Sequence, residues 1–97
     1  MEISEFQKLL AERLGDKDKQ MGASFLMNVL TEEVGELSRA IGKESKAEIG
    51  EEIADVLFST MSIANVFGVA VEPLLVRKYV DRPLSDISRK WTDVSWR

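Results

Sequence analysis

Between Ser45 and Gly68 the chain reads as one helix that is apolar around more than half its circumference, with Ile49, Ile53, Val56, Leu57, Met61, Ile63, Ala64 and Phe67 at helical spacing. A helix with that distribution needs neighbours on several sides. Ser45 and Glu48 form an S-x-x-E capping box at its start, and Gly68 supplies its stop. Few residues remain to surround it. The chain has 97 residues, which fits one compact domain over 1–97. A domain of this size buries only about two thirds of the surface its unfolded chain exposes. The central helix therefore predicts a bundle completed by a second copy of the chain, as a homodimer or homotetramer.

The flanking segments are helical as well. Ser4 with Gln7 resembles a second capping box, followed by Phe6, Leu9, Leu10 and Leu14 at helical spacing, with Gly15 as the expected stop and "DKDKQ" as a loop. Phe25, Leu26, Val29, Leu30, Leu37 and Ile41 mark a second helix, ending at Gly42. Pro73 suits the first turn of a fourth, which holds Leu74, Leu75, Val76 and Tyr79 and is broken by the "DRP" that ends in Pro83. A short element is expected from Ile87 to Trp91. No segment shows the period-two alternation or hairpin turns of strands, so the predicted fold class is all-α.

Apolar residues make up 44% of the chain and charged residues 31%, the balance of a folded globular protein. The net charge of −4 removes the basic field that would track duplex nucleic acid. No stretch approaches the about 18 apolar residues of a membrane span, and the N-terminus lacks a secretory pattern, so a cytoplasmic protein without a membrane partner is expected. With no cysteine and no histidine, disulfides, thiolate sites and histidine chemistry are excluded. Catalysis would have to rest on carboxylates, Lys, Arg, Tyr or hydroxyls.

The acids are placed unusually. With Phe25 at zero on a helical wheel, Glu36 falls at about 20° and Glu33 at about 80°, inside the apolar arc, while Glu32 sits at its edge. On the next helix Glu48, Glu52 and Asp55 form a narrow stripe beside the apolar side, and Glu51 points elsewhere. Unpaired buried carboxylates are costly, so clustered ones call for protons or cations. Glu33 and Glu36 are spaced i,i+3, as are Glu52 and Asp55, and such pairs can grip one ion. The short "GKESK" connection turns the two helices antiparallel, so the pairs face each other. Oxygen-only ligands favour Mg²⁺ or Mn²⁺. The competing reading is a solvated face, with Glu52 or Asp55 paired to Lys46 or Arg77. Gly35 and Gly50, beside the acids, suit either close helix packing or space for a ligand.

"EEVGEL" followed by "EEIADVLF" resembles the EExxE and ExxD signature of the all-α nucleoside triphosphate pyrophosphohydrolases, and most closely their MazG-like branch, over about Leu26 to Arg82. The resemblance implies a four-to-five-helix MazG-like bundle assembled as dimers or tetramers. It also implies Mg²⁺ dependence, with Mn²⁺ a possible substitute, and cleavage of nucleoside triphosphates to the monophosphate and pyrophosphate in nucleotide-pool housekeeping. Carried over by position, Glu33, Glu36, Glu52 and Asp55 are the metal ligands. Glu32, Glu33 and Glu36 form the catalytic group, in which Glu32 is an additional ligand, a group behind the ligands, or the carboxylate that orients or deprotonates the attacking water.

Lys78 and Arg82 in "VRKYVDR", four apart on the fourth helix, correspond to the basic region with which the family binds phosphates, and Asn65 to a residue near the substrate. Tyr79, Trp91 and Trp96 suit base stacking, although an aromatic in a small helical protein is more often part of the core or an interface. The sequence departs from relatives at Ser59, where many carry a larger residue, and at "GASF", where several have His or Trp. The alternative functions are phosphoribosyl-ATP pyrophosphohydrolase, which shares the acidic pattern, and a catalytically silent nucleotide-binding helical oligomer.

Overall fold

The computed structural model describes residues 1–87, in the order α1 (Ile3–Met21), α2 (Ala23–Lys43), α3 (Lys46–Phe67) and α4 (Val71–Tyr79), with residues 84–87 helical again. There is no strand among the described residues, and the fold class is all-α. Helix α3 packs against both α2 and α1, which gives it the central place its composition demands.

The limits of α3 follow its sequence signals. Ser45 is the N-cap, its hydroxyl accepting from the Glu48 amide at 3.3 Å, and Gly68 closes the helix at φ 66°, a left-handed conformation that costs glycine little. The chain then bends by 113° into α4, whose first turn holds Pro73. After α4, the Pro83 carbonyl accepts from the amides of Asp86 and Ile87 and starts the next helical turn. Trp91 and the expected element's C-terminal part lie outside the described residues, as does Trp96.

Three boundaries differ from expectation. Helix α1 runs through Gly15 and the "DKDKQ" segment to Met21. One helical glycine costs only about 1 kcal/mol, Lys and Gln are good helix formers, and no proline intervenes. The break falls instead at Gly22, whose φ of 91° and ψ of 158° belong to a region that essentially only glycine enters.

Ser4 does not cap α1, because the helix has already begun at Ile3 with Glu2 as its N-cap. The Ser4 amide and hydroxyl donate to the two Glu72 carboxylate oxygens at 3.2 and 3.1 Å. Gln7 donates through Nε2 to the Val69 carbonyl and accepts from the Val71 amide at 3.2 Å. The polar pair taken for a cap thus ties α1 to the start of α4. Helix α2 ends at Lys43 rather than Gly42, with Glu44 taking the left-handed position at φ 56°.

The core of a single chain is thin. Among the described residues Leu10, Leu26, Ala40 and Met61 are the buried apolar side chains, while Phe25 is 45% exposed, Ile41 56%, Leu57 54% and Phe67 66%. A groove of about 360 Å³ between α1, α3 and α4 is lined by Ile3, Phe6, Leu57, Met61 and Leu75. Among the described residues no single helix is long and apolar enough to cross a membrane.

Candidate metal centre

Helices α2 and α3 lie side by side and antiparallel, so that Glu36, Arg39, Ala40 and Lys43 face Glu48, Glu51 and Glu52 across one cleft. The i,i+3 spacing puts Glu33 and Glu36 on one side of α2. Across the hairpin stands Glu52. One carboxylate oxygen from each of Glu33, Glu36 and Glu52 lies within 4.8 Å of the others. Glu33 and Glu52 are half-buried, whereas Glu36, which the helical wheel puts inside the apolar arc, is exposed, because it faces the open cleft beside α3 rather than a packed core.

This group contains unsatisfied acceptors. The Oε2 atoms of Glu33 and Glu52 are both shielded from solvent and have no hydrogen-bond partner. Buried polar atoms are normally paired, and two orphaned acceptors converging with a third carboxylate fit a divalent ion. The all-oxygen donor set suits a hard cation such as Mg²⁺, Mn²⁺ or Ca²⁺. Burial pushes the Glu52 carboxyl up from 4.5 to about 7, and the neighbouring Glu33 and Glu36 carboxylates add to the rise.

The solvated-face alternative finds no support in ion pairing. Among the described residues the salt bridge present is Lys43 to Glu48 at 3.8 Å, and neither Lys46 nor Arg77 answers Glu52 or Asp55. Gly35 and Gly50 do not pack closely against the chain, since a Cβ at either would meet nothing within 4 Å. Space is left open on both.

Other residues singled out by pattern lie elsewhere. Asp55 is exposed and outside the group of three, and Glu32 is exposed as well. Asn65 stands roughly 20 Å further along the α3 axis than Glu52, by the helical rise. There its Nδ2 donates to the Gln7 carbonyl at 3.1 Å, joining α3 to α1. Lys78 is exposed near the end of α4, with its Nζ 5.6 Å from the centre of the Tyr79 ring. Arg82 does not share a helical face with Lys78, because α4 ends at Tyr79 and Arg82 sits in the bend beyond it. Helix α4 makes its main contact with α1. Ser59 is 3% exposed, so its small side chain is enclosed within the helices rather than lining an open pocket.

The cleft also contains residues that pattern alone passed over. Arg39 and Lys43 follow Glu36 at i+3 and i+7, the repeat of one helix face, and both line the cleft. Glu51, which the wheel turns away from the stripe, lines it too.

No curated protein and no solved structure matches the chain significantly. The MazG nucleotide pyrophosphohydrolase domain matches residues 22–83, a span that begins at the Gly22 break, contains both acidic motifs and ends at the Pro83 turn. Nearly two thirds of the chain lies inside that match, and the chain belongs to the MazG nucleotide pyrophosphohydrolase family.

Proposed function

We propose that this protein hydrolyses nucleoside and deoxynucleoside triphosphates to the monophosphate and pyrophosphate, with Mg²⁺ as the native ion and Mn²⁺ as a substitute, in housekeeping of a cytoplasmic nucleotide pool. The observation that carries the reading is the convergence of Glu33, Glu36 and Glu52 with two orphaned buried oxygens, in a chain of this family.

Glu33, Glu36 and Glu52 would hold the ion, and Asp55, one turn beyond Glu52 on α3, would join them. A bound divalent ion neutralises charge on the phosphate oxygens and lowers the pKa of a nearby water. The water oxygen bonds to the α-phosphorus as the bond from that phosphorus to the β-bridging oxygen breaks, and the electron pair leaves with pyrophosphate. Glu32, exposed and outside the group of three, is assigned the task of orienting that water and accepting its proton.

Lys78, Arg82 and Asn65 are proposed substrate contacts. Within one chain Lys78 and Arg82 stand on or beyond α4, and Asn65 lies roughly 20 Å along α3 from Glu52, so this role is best served across the interface of a homodimer or homotetramer. The exposed Phe25, Ile41, Leu57 and Phe67 support such an assembly.

The test is a panel of nucleoside triphosphates and deoxynucleoside triphosphates with Mg²⁺ or Mn²⁺ and identification of both products. Monophosphate plus pyrophosphate is expected, with the activity abolished in Glu36→Ala. Orthophosphate as the only product, or a Glu36→Ala variant as active as the parent, would sink the reading.

A further inference from the structure

We propose that the cleft between the C-terminal turns of α2 and the N-terminal turns of α3 is a phosphate subsite, in which Arg39 and Lys43 hold the pyrophosphate end of the substrate. The proposal rests on the triphosphate reading and adds to it the residues that receive the leaving group.

The cleft has a volume of about 160 Å³ and is lined by Glu36, Arg39, Lys43, Glu48, Glu51 and Glu52 with little apolar surface. Sites for whole drug-sized ligands run to about 300–1,000 Å³ and are mostly apolar, so this one suits a small polar fragment rather than a nucleoside. It shares Glu36 and Glu52 with the metal centre, which places its contents beside the ion. A phosphate chain entering from the reacting phosphorus would reach it directly.

Its cations are available. Arg39 makes no hydrogen bond or ion pair among the described residues. Lys43 has one ion pair, long at 3.8 Å, with both side chains open to solvent at 61% and 49%. An exposed pair of that length is readily exchanged for a phosphate oxygen. Stabilisation of a helix C-terminus explains a cation in the last turn, where Lys43 lies, but that effect fades before Arg39. Arg39 is exposed at the cleft with its donors uncommitted, and a guanidinium fork matches phosphate oxygens in pairs.

The charge balance makes a specific demand. Four carboxylates line the cleft against two cations, so a polyphosphate is repelled until a divalent ion reverses the sign. Pyrophosphate should therefore bind only in company with the metal.

The experiment is calorimetric titration of pyrophosphate into the full chain, with and without Mg²⁺, for the parent, Arg39→Gln, Lys43→Gln, the double variant and Arg39→Lys. Thermal shift with Mg²⁺ alone serves as a separate readout of the metal centre. Expected are no pyrophosphate binding without metal, affinity about tenfold weaker for each Gln variant, and partial retention in Arg39→Lys. The response to Mg²⁺ alone should be undiminished, because neither cation holds the ion. Pyrophosphate bound by the double variant as tightly as by the parent would overturn the subsite while leaving the triphosphate reading in place. A parent that neither binds pyrophosphate with Mg²⁺ nor releases it from any triphosphate would remove both.

Discussion

At Glu52, burial of one carboxyl oxygen and the nearness of Glu33 and Glu36 make a site for which a proton and a divalent cation would compete. The folded-state value of about 7 lies above the ordinary 4.5, so the folded chain binds this proton more tightly than the unfolded chain does. Stability without metal therefore falls as pH rises through that interval, and the lost contribution is restored on acidification. Melting temperatures measured across it should show this slope, and Glu52→Gln should flatten it. The stabilisation by Mg²⁺ should grow over the same interval as the proton leaves, and Glu36→Gln should weaken it at every pH. A Mg²⁺ response that is absent, or independent of pH, would contradict the metal centre. Ser45 offers a simpler case: its hydroxyl satisfies the Glu48 amide, and Ser45→Ala should cost about 1 kcal/mol in denaturant unfolding.

Among the elements, α1 is where local signals and the fold part company. Gly15 lies in mid-helix, and a Cβ there would meet only the Ala11 Cβ at an ordinary 4.0 Å. Gly15→Ala should stabilise the protein by about 0.5–1 kcal/mol. Gly22 should respond in the opposite sense, since alanine is strained at φ 91° and ψ 158° by about 1–3 kcal/mol. Equal effects of the two substitutions on the unfolding midpoint would place the helix break wrongly. Helix α3 was legible because Ser45 with Glu48 at its start, Gly68 at its end and the 3.6-residue repeat between them each act on residues within about a turn of themselves. The Ser4 and Gln7 pattern misled for the opposite reason. Its partners, Glu72, Val69 and Val71, are more than sixty positions away and leave no trace in local spacing.

For the whole molecule, the imbalance between a thin core and exposed Phe25, Ile41, Leu57 and Phe67 predicts self-association. Light scattering should report a dimer or tetramer, and Leu57→Glu, in the groove between α1, α3 and α4, should shift it towards the monomer. A monomeric parent chain at micromolar concentration would refute this. The sequence by itself determined the all-α class, the central helix with its caps, and the place of Glu33 and Glu36 on one side of α2, because periodicity and capping are properties of neighbouring residues. Only the tertiary structure decided that Glu52, and not Asp55, joins Glu33 and Glu36 within 4.8 Å, and that Arg82 lies beyond the end of α4 rather than on one helical face with Lys78. It also decided that Arg39 and Lys43 face the acids. Each of these depends on how one helix is rotated and placed against another, and that is set by the summed packing of distant side chains rather than by any local pattern.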